Sequence, residues 1–402
     1  MIDIKLIEKC EQKLQNQFKY LDEVSLYNQE KVLNAFKKNK IALRHFNGST
    51  GYGYGDEGRD TLNSLVADIF CAESAICSPS FVSGTHTLST CLFALLRPGD
   101  AFISISGKPY DTLIDVINGD NIGSLKDYGV KFDSISLKDG KFDYEKIDEF
   151  LSENKVKMVY IQRSRGYEWR DALTIDDLSA AVKHLRKSGF NGIIMLDNCY
   201  GEFVEKREAL EVGVNIVAGS MIKNLGGGIV PTGGYVAGDK RLIELVQNRL
   251  TAPSIGGEVG SYAFGYQYFY EGLFLAPHVV KEALKGSLLF GAVLDELHIE
   301  TSPSAGKVPA DIIRAIKFND KNLMIDFINV IQQNSPIDSF VRVEPWDMPG
   351  YSDQVIMAAG CFVQGASIEL SADGPVKPPY IAYMQGGLTY EHLKIALKNL
   401  KI

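Results

Sequence analysis

VKMVYIQRSRGYEWRDALTIDDLSAAVKHLRKSGFNGIIMLD (residues 156–197) decides the fold. It opens on an apolar run (VKMVYI, 156–161), passes through an amphipathic helical pattern (IDDLSAAVKHLRKSG) and closes on a second apolar run (GIIMLD, 192–197). Strands apolar on both faces and joined by a helix predict a parallel β-α-β unit. The alternation extends outward through AFISIS (101–106), NIVAGS (215–220) and GGYVAG (233–238), with the helical patterns THTLSTCLFALL and YEKIDEFLSEN between strands. Residues from about 75 to 240 therefore predict an α/β unit with a mainly parallel sheet. The sequence leaves the direction of the last strand open.

On the N-terminal side, Ile2, Leu6, Leu14 and Phe18, then Leu26, Val32, Leu33 and Phe36, recur at helical intervals and predict two helices in the first forty residues. GSTGYGYGDEG (48–58) is too rich in glycine for a helix or strand and reads as a loop with special backbone angles. RDTLNSLVADIF (59–70) is amphipathic and predicts a helix. On the C-terminal side, 258–293 predicts a long helical stretch whose aromatics Tyr262, Phe264, Tyr266, Tyr268, Phe269, Tyr270 and Phe274 serve core or subunit contact. From about 300, DIIRAIKF, LMIDFINVIQQ, QVIMAAGCFVQ, ASIELS and LTYEHLKIALKNL read as strand, helix, strand, strand, helix, a small α+β domain. The organisation expected is residues 1–58 as N-terminal helices and a subunit-contact loop, 59–290 as a large α/β domain, and 291–402 as a small α+β domain.

Composition narrows the function. The chain has 402 residues, 45% hydrophobic and 23% charged, and 42 basic against 50 acidic side chains give a net charge of −8. That balance argues against a nucleic-acid or anionic-membrane surface, which needs clustered Lys and Arg. No apolar run approaches the roughly 18 residues of a membrane helix, and the polar N-terminus is not a secretory leader. Cys10, Cys71, Cys77, Cys91, Cys199 and Cys361 are scattered, without a C-x-x-C pair or histidines at ligand spacing. They read as reduced packing thiols of a cytoplasmic protein that holds no metal.

Three stretches carry chemistry. Ser83-Gly84-Thr85-His86-Thr87 precedes an apolar helix, so its N–H groups and the helix dipole suit a phosphate, although a plain N-cap explains them equally well. Asp197 ends a buried strand, where α/β proteins place ligands, or else simply caps the next helix. Lys223 lies between the apolar run NIVAGS and Gly226-Gly227-Gly228. A desolvated lysine is a candidate nucleophile, and the glycines predict room above it for a flat ligand.

In this order the stretches resemble the fold-type-I pyridoxal-phosphate enzymes of cysteine and methionine metabolism, and within them the bacterial aluminium resistance or methionine γ-lyase-like proteins. The likeness runs from GYGYGDEGRDTL to QGGLTYEH and is most specific in FVSGTH, IQRSRGYEWR, DNCYGEF and AGSMIKNLGGGIVPTGGYVAG. It implies a mainly parallel, seven-stranded type of sheet in a large domain plus a small α+β domain, with pyridoxal 5'-phosphate as cofactor. It implies a lyase that removes the α-proton of a sulfur-containing amino acid and completes a β- or γ-elimination. By the resemblance, Lys223 carries the cofactor and later shuttles the proton, with a pKa lowered by the cationic ring. Asp197 keeps the ring nitrogen protonated, Ser83, Gly84, Thr85 and Ser220 bind the phosphate, and Tyr110 stacks on the ring and acts as an acid. Tyr54 and Arg59 reach a neighbouring subunit's phosphate, which implies a homo-oligomer with a dimer as minimal unit and a tetramer as the expected form.

One departure stands out. Related lyases clamp the substrate carboxylate with an arginine shortly before the last helix, yet here that stretch reads YIAYMQGGLTYEH, with Tyr383 near the expected place and no arginine after Arg342. Arg163 or Arg165, in IQRSRGY, is the substitute expected from the need for a bidentate clamp, against the alternative of a loop or subunit ion pair. Two other motifs fail on context. Gly53–Gly58 matches G-x-G-x-x-G without a buried strand before it, and Ser220-x-x-Lys223 lacks the S-D-N and K-T-G of penicillin-binding enzymes. Aminotransfer, γ-replacement, or a catalytically silent binding module on the same fold are the alternatives the residues leave open.

Overall fold

Every side chain of residues 158–162, 216–220 and 234–238 is shielded from solvent, a state a strand reaches when helices cover both faces of its sheet. The computed structural model, which describes residues 1–348 and 351–401, has that arrangement. In chain order the elements are α1 (Ile4–Lys13), α2 (Gln15–Lys38), α3 (Glu57–Ile69), β1 (Ser74–Ser78), α4 (Gly84–Leu95), β2 (Ala101–Ser104), α5 (Asp111–Asn118), β3 (Lys131–Ser134), α6 (Tyr144–Glu153), β4 (Met158–Gln162), α7 (Ile175–Lys187), β5 (Ile193–Asp197), β6 (Ile216–Ser220), β7 (Gly234–Gly238), α8 (Lys240–Leu250) and α9 (Gln267–Glu296). They are followed by β8 (Glu300–Ser302), β9 (Ile313–Lys317), α10 (Lys321–Gln333), β10 (Val355–Ala358), β11 (Ser371–Pro375), β12 (Ile381–Gln385) and α11 (Tyr390–Lys398).

The large sheet has the order β1-β7-β6-β5-β4-β2-β3. Its pairs are parallel except where β7 runs antiparallel to both β1 and β6, so the last strand does break the common direction. Successive strand residues point to opposite faces. Val159, Ile161, Ile194, Leu196 and Val217 therefore enter a core shared with α7 and α9. Met158, Tyr160, Met195, Ile216 and Ala218 enter a second core beneath α4, α5 and α8. The smaller sheet is antiparallel, in the order β10-β11-β12-β9-β8.

The departures from the sequence reading have local causes. ASIELS (366–371) is a turn up to residue 370, and the strand is β11 instead. The Glu369 carboxylate accepts the backbone N–H groups of Phe362 and Val363, both at 2.9 Å, and so folds this segment back on itself. The helix expected from 258 starts at 267, because Gly265, with φ of +76°, lies so close to the backbone of Phe46 that a side chain has no space there. The helix α9 then runs unbroken through residue 290, where the sequence suggested a domain boundary. Strands β1, β3, β8 and β12 carried no run long enough to stand out.

Candidate active site

In an open α/β sheet, ligands sit beyond the carboxyl ends of the strands. Here the segments leaving β1, β2, β4, β5 and β6 all meet at that edge, and the small sheet closes over them. Together they enclose a cavity of about 530 Å³ lined by, among others, Gly84, Thr85, Tyr110, Gln162, Arg165, Asp197, Cys199, Tyr200, Ser220, Lys223, Asp373 and Tyr383.

Three chemistries converge on it. First, α4 starts at Gly84, and the Ser83 side chain accepts the His86 N–H as its N-cap. A side chain at Gly84 would lie 3.4 Å from Ser220 Cβ, so the helix start and the Ser220 hydroxyl stand side by side. Second, Asp197 closes β5 almost fully buried, with Oδ1 accepting the Cys199 N–H at 3.1 Å and Oδ2 facing the Tyr160 hydroxyl at 3.5 Å. Burial pushes its carboxyl up, against the opposing pull of the Lys223 ammonium and the Cys199 N–H. Third, Lys223 follows β6, its Nζ 4.1 Å from the centroid of the Tyr200 ring. Burial alone would lower the Lys223 amine, but its neighbours, the Asp197 carboxylate among them, outweigh it and hold the ammonium form above the ordinary lysine range. The lowered lysine pKa expected from the resemblance depends on a cationic ring, and the chain's own groups act in the opposite direction. Tyr110 completes this side, its N–H donating to Gln162 Oε1 at 3.0 Å and its hydroxyl to Thr85 Oγ1 at 2.9 Å.

The two candidate arginines separate. All the guanidinium nitrogens of Arg163 are taken, by Leu173 O, Asn198 Oδ1, Gly201 O and Glu205 Oε1, and it does not line the cavity. Its role is to tie the β4 and β5 loops together, which corrects its reading as a substrate ligand. Arg165 does line the cavity. Its Nη1 donates to Ser302 O and Oγ at 2.8 and 2.9 Å, its Nη2 has Asp171 at 4.0 Å, and its buried Nε has no partner.

Two further readings change, those of Ser83 and of the triple glycine. The Ser83 side chain is an N-cap and lies outside the cavity lining. Tyr54 is 69% exposed and stacks on Tyr52, and Arg59 bonds Asp60 and Gly53 O, so neither reaches the cavity of its own chain. Gly226–Gly228 do not make room for a ligand. A side chain at 226 would overlap the Met221 carbonyl, at 227 it would lie 2.7 Å from Gly272 O of α9, and at 228 it would overlap Leu388. The glycines let this loop pack against α9 and the small part of the chain. The sequence reading gave no role to Gln162, Tyr167, Tyr200, Tyr351, Asp373 and Gln385, although Gln162 and Tyr167 lie within IQRSRGYEWR, Tyr200 within DNCYGEF and Gln385 within QGGLTYEH.

A family model described as methionine gamma-lyase matches residues 3–401. The uncharacterized protein YnbB of Bacillus subtilis is 46% identical over 383 residues, covering 94% of this chain and 91% of the relative. The crystal structure of a carbon-sulfur lyase involved in aluminum resistance from Clostridium novyi is 50% identical with a TM-score of 0.94, covering 98% of this chain and 94% of the other. The pyridoxal-5'-phosphate dependent protein YhfS of Escherichia coli shares the fold at 16% identity, with a TM-score of 0.64 over 94% of this chain and 95% of the other.

Proposed function

The chain belongs to the methionine gamma-lyase family, and from that premise we propose that it is a pyridoxal-phosphate-dependent carbon–sulfur lyase. Its substrate is a sulfur-containing amino acid of the methionine, cystathionine or cysteine type, cleaved by α-proton abstraction and β- or γ-elimination. The observation that carries this reading is the meeting of Lys223, Asp197 and the start of α4 in one cavity.

The donor set fits the cofactor. A buried carboxylate, an amine on a short loop and a helix start beside a serine hydroxyl match a ring nitrogen, an aldehyde and a phosphate respectively. Asp197 would hold a proton on the ring nitrogen. The N–H groups of Gly84 and Thr85 and the Ser220 hydroxyl would hold the phosphate. Lys223 would anchor the aldehyde carbon. When bound, pyridoxal phosphate supplies a cationic ring that takes up the electron pair left at Cα.

The remaining roles belong to the chain. Lys223 Nζ would take the Cα proton, the cationic ring offsetting the neighbours that favour its ammonium form. Tyr110 would stack on the ring, and burial keeps its hydroxyl from ionising. The Nε of Arg165, buried without a partner, and its Nη2, with Asp171 at 4.0 Å, offer the side-on fork that a carboxylate accepts in bidentate fashion. Tyr54 and Arg59 serve the phosphate of a neighbouring copy, which makes a dimer the minimal active unit and a tetramer the form proposed.

The test is the visible spectrum of the purified protein before and after borohydride, with peptide mapping and an assay of thiol and oxoacid release from methionine, cystathionine and cysteine. A yellow protein reduced to a pyridoxyl adduct on Lys223 is expected. Lys223→Ala should fold normally yet lose both the adduct and turnover. A protein that stays colourless with added pyridoxal phosphate overturns the proposal.

A further inference from the structure

The small-domain wall of the cavity holds a carboxylate that the proposed chemistry leaves unused. Asp373 lies in β11 directly opposite Tyr383 of β12, which in turn lies opposite Ala315 of β9. One face of the small sheet therefore presents Asp373, Tyr383 and Gln385 to the cavity. Across from them Tyr167, from the β4 loop, has its ring 5.0 Å from that of Tyr383 and 5.9 Å from that of Tyr351. The Tyr383 hydroxyl donates to the Tyr167 carbonyl at 2.6 Å, which fixes the Tyr383 ring against the β4 loop. Tyr200 borders the same space from below.

The other acids of the cavity have cationic neighbours. Asp353 pairs with Lys377 at 2.7 Å, Glu168 with Arg170 at 2.6 Å, and Asp197 feels Lys223. Asp111 has Lys377. Among the described residues Asp373 has none. Its Oδ2 accepts from Gln385 Nε2 at 3.2 Å, and the Tyr167 side chain lies beside it. Burial without a cation pushes its carboxyl up to about 7. A buried carboxylate in a cavity lined by tyrosines is a site that a compact cation completes, since aromatic rings and a carboxylate both attract it.

We propose that Asp373, with Tyr167, Tyr200, Tyr351 and Tyr383, forms a subsite for a positive charge, ammonium or sulfonium, on the distal end of the amino-acid substrate. This rests on the lyase reading and narrows its substrate class. A neutral thioether such as methionine would occupy the cavity without engaging Asp373.

Matched ligands test it on the cofactor-loaded protein. S-(2-aminoethyl)-L-cysteine and S-propyl-L-cysteine share head group, sulfur and length, and differ in a terminal ammonium against a methyl. S-methyl-L-methionine against L-methionine makes the same comparison for a sulfonium. Dissociation constants come from calorimetry, and cleavage from thiol or thioether release. A preference for the charged member of at least one pair by about tenfold or more is expected. Asp373→Asn should bring that ratio to near one, and Tyr351→Leu should reduce it severalfold, so a folding failure in one variant leaves the other to read. Equal affinities within both pairs, a preference that survives both variants, or binding of none of the four overturns the subsite. Preferential binding without any cleavage would uphold the subsite while overturning the lyase reading.

Discussion

Lys223 Nζ sits 4.1 Å from the centroid of the Tyr200 ring, and Tyr200 holds that ring in place with a left-handed backbone, φ +70°. A bulky residue in that region costs about 1–3 kcal/mol. The conformation turns the chain straight after Asp197 and sends the Tyr200 hydroxyl to within 3.3 Å of Ser367 Oγ in the small part of the molecule. The ring, and not the hydroxyl, is what supports the amine. Tyr200→Phe should keep borohydride-trapped cofactor at the level of the parent protein. Tyr200→Ala should lose about tenfold or more in kcat/KM, the scale of a desolvated cation–ring contact. Equal losses in the two variants would shift the role to the hydroxyl.

Asp197→Ala isolates the ring-nitrogen contact. Lys223 is unaltered, so the pyridoxyl adduct on it should still form. The rate should fall by about 100-fold or more, on the scale of a lost proton-holding group. Steady-state kinetics beside the borohydride map separate the two effects. Kinetics like those of the parent would assign the nitrogen to another group.

How much of this was legible beforehand depends on sequence distance. The parallel sheet was readable because VKMVYI and GIIMLD are dominated by apolar residues, and Asp197 and Lys223 were readable because one ends such a run and the other follows NIVAGS by three residues. Asp373 was not, because SADGP (371–375) has no apolar pattern and its strand exists only through pairing with β10 and β12. Arg163 and Arg165 looked alike, two residues apart in one loop. Only the fold shows that one has every nitrogen satisfied and the other a buried Nε without a partner. The triple glycine misled for the same reason, since the atoms it makes room for lie in α9 and at Leu388.

Gly201 makes the structural role of Arg163 testable. A side chain there would place its Cβ 2.6 Å from Arg163 Cζ, and the guanidinium, bonded on all sides, has nowhere to move. Gly201→Ala should destabilise the protein by about 1–3 kcal/mol, the usual cost of overpacking. Denaturant unfolding reads the loss. A variant as stable as the parent would mean that Arg163 yields easily and its hydrogen bonds contribute little.

Glu202 carries the clearest pH signature. Wholly buried, it accepts the Tyr235 hydroxyl at 2.7 Å on Oε1, while Oε2 has no partner. Burial pushes its carboxyl from 4.5 up to about 7. Between those values the folded chain keeps a proton that the unfolded chain has released. Stability therefore falls as pH rises through the window and levels off above about 7, a loss on the order of 3 kcal/mol. Asp373 slopes the same way, so only a variant isolates Glu202. Glu202→Gln keeps an acceptor for Tyr235 and has no proton to lose. Its stability relative to the parent should rise by about 2–4 kcal/mol between about pH 5 and about pH 8 in urea unfolding. A difference that is the same at both values would mean that Glu202 is ionised in the folded protein throughout, and that a group not yet paired with it supplies the compensating charge.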